Sequence, residues 1–213
     1  LADTLILSIN ENPNQKESCL ICHHQMKGFT ASHDPQAVGC VDCHLGNPLT
    51  LDKDQSHRGM INIPGNLTDA SRTCGTAQCH PDITDRIQNT LMTTLSGMVS
   101  VDRFVFNEID QPGELSRITE IGHSAADQHL RDMCANCHLG NPKTDYGLIT
   151  ELSRGGGCNA CHLNYPDKAI NVDESFITDL SYHPQLSLDI SNNHCFGCHS
   201  RSGRISTNYE GWH

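Results

Sequence analysis

A chain of 213 residues has room for one ordinary domain or two small ones. Only 36% of it is hydrophobic and 5% aromatic, below the ~45–50% apolar share of ordinary globular domains. Twelve cysteines and fourteen histidines stand beside that deficit, so something other than aliphatic side chains must fill the interior. A net charge of -11 argues against the basic face that nucleic acid or anionic lipid requires. The longest aliphatic run, Leu5 to Ile9, is far short of the ~20 apolar residues of a membrane span. A chain beginning at Leu1 fits a mature protein whose export signal has been removed.

In chain order, the cysteines fall into six pairs, each followed at once by histidine. The first two are CLICH (Cys19, Cys22, His23) and CVDCH (Cys40, Cys43, His44), and the third is the expanded CGTAQCH (Cys74, Cys79, His80). Turn signals at Gly46-Asn47-Pro48 and Pro64-Gly65-Asn66 predict coil between the second and the third. Pro81 and Asp82 then open a predicted helix from about Asp82 to Val99, with Ile83, Ile87, Leu91, Leu95 and Met98 on one face. That face reads as a packing surface, with partner docking as the other reading. A second predicted helix, Ser124 to Met133, runs straight into CANCH (Cys134, Cys137, His138). Turns at Gly140-Asn141-Pro142 and Gly155-Gly156-Gly157 precede CNACH (Cys158, Cys161, His162), and the last pair is CFGCH (Cys195, Cys198, His199).

C-x-x-C-H is the attachment signal of c-type haem. Two thiols a short turn apart add to the vinyl groups on one porphyrin edge, and the next residue offers a neutral imidazole to the iron as proximal ligand. A disulfide framework or paired zinc knuckles would use even cysteines too, but neither explains six trailing histidines. The third motif is longer by two residues, which can bulge outward at Gly75 while the thiols keep their separation; a local disulfide is the alternative there. Six haems in 213 residues leave little protein between them. The expected fold is therefore mostly coil with short α-helices wrapped around a closely packed chain of six c-type haems, with little or no β-sheet. Each motif is expected to form a short helical turn.

Spacing hints at duplication. The step from His23 to His44 is 21 residues and the next, to His80, is 36; the steps from His138 to His162 and to His199 are 24 and 37. Gly39 and Gly157 precede the second and fifth motifs, and Leu45 and Leu163 follow them, although the shared HLGNP string after the second and fourth cuts across that alignment. The reading is a single multihaem domain, 1–213, with tandem three-haem halves of about 1–110 and 111–213 as its internal plan.

With His23, His44, His80, His138, His162 and His199 as proximal ligands, eight histidines remain for the second axial positions. His24, His33, His57, His123, His129 and His183 are the distal candidates, and His194 and His213 rank lower. His24 follows a proximal histidine directly, so it must point toward a neighbouring haem. Five methionines are the other possible ligand type, but the surplus of histidine favours bis-histidine iron.

The motifs and the CHH string at Cys22-His23-His24 resemble multihaem c-type cytochromes over the whole chain. The six motifs, acidic balance and spare histidines resemble the hexahaem extracellular filament-forming cytochromes, the cytochrome nanowires. The resemblance implies close-packed bis-histidine haems, copies of the chain joined head to tail, and one distal histidine lent across each subunit boundary, for which His24, His33 and His213 are the candidate donors.

The function expected is electron transfer, not enzymatic catalysis, since iron with two histidines has no open position. Redox proteins with basic patches or extracellular electron acceptors are the expected partners, with no nucleic acid and no membrane span. The location expected is extracellular or the cell surface, with the periplasm as alternative. A periplasmic shuttle, a subunit of a larger redox complex and a multihaem reductase are the competing functions; the last needs a displaceable ligand, and no motif ends in lysine.

Overall fold

The computed structural model describes residues 17–145, 147, 153–171, 176, 177, 179 and 181–199. His213 lies outside them. Within that range the chain is mostly coil, turns and short helices. In chain order these are α1 (Cys19–Cys22), α2 (Cys40–His44), α3 (Lys53–Ser56), α4 (Pro81–Gln88), α5 (Leu91–Thr94), α6 (Ser96–Val105), α7 (Ala125–Met133), α8 (Asn159–His162) and α9 (Asn192–His199). Among the described residues, strand is confined to two antiparallel ribbons of two residues a side. In one, β1 (Leu163–Asn164) sets Leu163 opposite Leu186 of β4 (Gln185–Leu186); in the other, β2 (Ile170–Asn171) sets Ile170 opposite Ile177 of β3 (Phe176–Ile177). No helix among the described residues is long and apolar enough to cross a membrane.

The long helix expected over Asp82–Val99 is broken into α4, α5 and the start of α6. Threonine causes the first break. The hydroxyls of Thr90 and Thr93 both donate to the carbonyl of Ile87, at 2.9 and 2.7 Å, and Thr94 donates back to the carbonyl of Thr90 at 3.0 Å. Side chains that capture carbonyl oxygens in this way compete with the helical ladder. Leu95 makes the second break, with left-handed backbone at φ 47°, a conformation that costs a β-carbon residue about 1–2 kcal/mol. Its side chain packs against the buried cluster, which offsets that strain.

The helix expected at Ser124–Met133 forms as α7, with Ser124 capping it: its hydroxyl accepts from the Asp127 N–H at 3.1 Å. Glu108 adds a second cap, one carboxylate oxygen accepting from the Ala126 N–H at 2.9 Å and the other from the Ser124 hydroxyl at 2.6 Å. Val99, Ile118, Ile121, Leu130 and Ala135 form the apolar core where α6, the turn at Ile118–Glu120 and α7 meet. Arg103 on α6 and the buried Asp127 on α7 lock that junction with two parallel hydrogen bonds of 2.9 and 3.1 Å. The fourth motif follows α7 directly, so this core fixes its position.

The described residues bridge the two proposed halves. Asn66 exchanges two hydrogen bonds with the backbone of Lys143, at 2.9 and 2.8 Å, and the Cys158 N–H donates to the Gly65 carbonyl at 2.8 Å. Gly157 has φ +58°, and a Cβ there would overlap the Gly65 carbonyl, so the approach requires glycine. The letters shared between the motifs do not share backbone: Gly39 is extended at φ -61°, and Leu45 has φ 58° where Leu163 has φ -91°.

Candidate functional site

Five of the six motifs adopt helical turns. The first is α1, the second α2, the fifth lies in α8, the sixth ends α9, and the fourth makes a 3-10 turn at Ala135–Cys137. The expanded third motif is a series of turns that leads into α4, for which His80 is the N-terminal flanking residue. Gly75 serves this turn through space rather than backbone freedom, contrary to the reading from sequence. Its φ is not positive, but a Cβ would overlap the hydroxyl of the buried Thr84, and its N–H donates to the Ala70 carbonyl at 2.6 Å. None of the twelve cysteines forms a disulfide.

Three motif histidines face non-motif histidines at closely similar distances. The ring centroids of His23 and His57 are 6.2 Å apart, those of His33 and His80 are 6.4 Å apart, and those of His44 and His183 are 5.9 Å apart. Two imidazoles on opposite sides of one metal place their centroids about 6.3 Å apart, given metal–nitrogen bonds of about 2.0–2.1 Å. Ordinary ring contacts also fall at ~4.5–7 Å, so distance alone does not decide. The identities carry more weight: each pair joins one expected proximal ligand to one expected distal ligand.

Protonation is arranged to match. A carbonyl oxygen only accepts, so a ring nitrogen bonded to one carries the proton. Nδ1 of His44 donates to the Ile61 carbonyl at 2.7 Å, His57 to Lys53 at 2.7 Å, His138 to Ala135 at 2.6 Å, His162 to Ser187 at 2.9 Å and His183 to Pro184 at 2.7 Å. In a neutral ring this leaves the lone pair on Nε2, the nitrogen that reaches a metal. Burial pulls the pKa of His33, His138 and His183 below the ordinary histidine value, which favours the neutral ring.

No family model matches the chain, and no curated protein or solved structure matches it either.

The remaining candidates separate cleanly. His194 is held at both nitrogens: Nδ1 accepts from the Ser191 N–H at 3.0 Å, and Nε2 faces the Leu163 carbonyl at 3.3 Å. That is the wrong tautomer for an Nε2 ligand, and it explains the residue as a tie between α9 and the fifth motif. His129 sets Nδ1 3.0 Å from both carboxylate oxygens of Asp102 and lies 5.5 Å from the Phe106 ring. His24 and His123 are exposed. No histidine stands across from His162 or His199 among the described residues, and none of His24, His123 and His129 is brought to a motif histidine there.

No three or more His, Cys, Asp or Glu side chains converge on a point among the described residues, so no zinc-type cluster is formed there. A porphyrin iron asks for less, because the macrocycle supplies four ligands and the protein two. The described residues also leave much apolar surface uncovered. Among the described residues, fifteen large hydrophobic side chains are exposed, against seven buried ones larger than alanine. Eight of the fifteen lie between Ile83 and Phe106, including Leu91 at 72% and Val105 at 70% exposure.

Two contributors escape sequence reasoning. Glu17 is buried and accepts from the N–H groups of Cys40 and Val41, at 2.6 and 3.0 Å, capping the second motif from 23 residues upstream. Phe29 stacks on His183 at 4.7 Å. No local pattern announces either, since both act across folded distance.

Proposed function

We propose that the chain is an electron-transfer protein holding six covalently attached c-type haems, and that it works as a subunit of an extracellular conductive filament rather than as an enzyme. The observation that carries this reading is the set of three pairs, His23 with His57, His80 with His33 and His44 with His183, each about one metal's width apart. The twelve motif cysteines, none of them in a disulfide, are the attachment groups. Haem held by two imidazoles supplies one-electron chemistry without an open coordination position.

The protein's own part is to hold neutral imidazoles in place. Carbonyls of Lys53, Ile61, Ala135, Pro184 and Ser187 fix the Nδ1 protons, and Phe29 braces His183 from one side. His24, His123 and His129 are left to serve the irons at His138, His162 and His199. His33 faces His80 within its own chain, so among the described residues His24 is the remaining candidate for donation to a neighbouring copy.

Mass spectrometry of the native protein tests the attachment: six haems are expected. The oxidised protein should give a wholly low-spin spectrum, and a high-spin component in the unmodified protein would favour the reductase reading. Electron microscopy tests the assembly, with regular fibres expected and monodisperse single particles favouring a periplasmic shuttle.

A further inference from the structure

We propose that the six attachment motifs are strung through the molecule in the order first, second, third, fifth, sixth, fourth, so that the first and the fourth are the two ends of the chain of sites. The proposal rests on the haem reading above and adds to it which sites are neighbours. Sequence order would instead set the fourth beside the third and make the sixth an end.

The five links can be followed one at a time. Glu17, two residues before Cys19, caps the helix that starts at Cys40, and the Ser18 N–H donates to the Pro48 carbonyl at 2.8 Å. This joins the first motif to the second. His44 then exchanges two hydrogen bonds with Ile61, one from Nδ1 and one to its backbone carbonyl, both at 2.7 Å. Three residues on, the Pro64 carbonyl accepts from the Thr73 hydroxyl at 2.7 Å and lies 4.0 Å from the Cys74 sulfur. The segment 61–64 thus spans from the second motif to the third.

The same turn continues to the fifth. Gly65 accepts from the Cys158 N–H at 2.8 Å, so Pro64 and Gly65 sit between Cys74 and Cys158. From the fifth motif, the Leu163 carbonyl faces His194 Nε2 at 3.3 Å, immediately before Cys195. The last link is the most direct: the Cys198 sulfur lies 3.2 Å from the Cys137 carbonyl.

Three contacts offer a rival order. The Gly157 N–H donates to the Leu139 carbonyl at 3.1 Å, the Gly156 N–H donates to the Asn141 carbonyl at 2.8 Å, and Asn66 is bonded to the Lys143 backbone, so the loop after the fourth motif also touches the approach to the fifth. These contacts are made by residues flanking the motifs, whereas the link between the sixth and the fourth is made by attachment cysteines.

A crystal or cryo-electron-microscopy structure of the haem-loaded full chain tests the order through its iron positions. The five shortest separations are expected between first and second, second and third, third and fifth, fifth and sixth, and sixth and fourth. A fourth iron whose nearest neighbour is the third or the fifth overturns the proposal while leaving the haem reading intact. A native protein without attached haem by mass spectrometry overturns both, and the two failures are told apart by that count.

Discussion

His44 and His183 are separated by 139 positions in the chain, yet their rings stand 5.9 Å apart and nearly perpendicular, at 85°. Each donates its Nδ1 proton to a carbonyl, Ile61 for one and Pro184 for the other. His183 reaches this position because Lys27 and His183 are bonded through the backbone at 2.8 Å, in a short parallel bridge formed by Lys27 and Tyr182. A late segment is thereby returned to the second motif.

Replacing His183 by alanine is expected to leave six haems attached but to convert one of the six irons to a high-spin form. Electron paramagnetic resonance of the oxidised protein reads this directly. His57→Ala and His33→Ala should each do the same to a different iron, so a double variant with His183→Ala should show two. An unchanged low-spin spectrum in all three would remove the pairing.

His194→Ala should behave in the opposite way. The side chain makes hydrogen bonds to the backbone of Ser191 and Leu163, and losing two such bonds costs roughly 1–2 kcal/mol. The expected result is a lowered denaturation midpoint with an unaltered oxidised spectrum.

The Arg103–Asp127 pair gives a prediction about pH. Burial by itself raises the Asp127 carboxyl, but hydrogen bonds from Arg103 and the Gly122 N–H outweigh it and hold its pKa below the ordinary value. A depressed carboxyl contributes stability that is complete above its ordinary pKa near 3.8 and is lost as pH falls through the lower folded value. Asp127→Asn removes the charged partner of a part-buried pair and is expected to cost about 1–3 kcal/mol at pH 7. Urea titrations at pH 7 and at pH 3 check the sign: the deficit of the variant should shrink at the lower pH.

Gly75→Ala probes the expanded motif. A methyl group there must displace the Thr84 hydroxyl or the Ala70 carbonyl, and overpacking of this kind costs about 1–3 kcal/mol. The expected outcome is a less stable protein whose third site attaches haem incompletely, seen as a mixture of five- and six-haem masses. Pairing the substitution with Thr84→Ala, which removes the crowding hydroxyl, should recover part of the loss.

Much of the local structure is legible in the sequence because its causes are local. The capping serine and the apolar spacing place α7 within one residue of its expected start. The short turns at the motifs and the scarcity of strand follow from the same kind of reading. The α4–α6 segment went differently, because its apolar face at spacings of three and four is the stronger pattern on paper. Three threonine hydroxyls competing for carbonyls, and a partly buried leucine in left-handed backbone, break that pattern in the folded chain.

The sequence by itself determined the chemistry on offer: twelve cysteines in six pairs, a histidine after each, and eight histidines to spare. These are properties of residue identity at fixed short spacing, which no fold can change. Tertiary structure alone decided which spare histidine meets which motif, because the partners are 34, 47 and 139 positions apart and nothing local encodes such pairings. It also decided His194, identical in kind to the others but turned to the backbone at both nitrogens. The lone pair of an imidazole points where its hydrogen bonds leave it free to point, and those bonds come from carbonyls brought up by the fold.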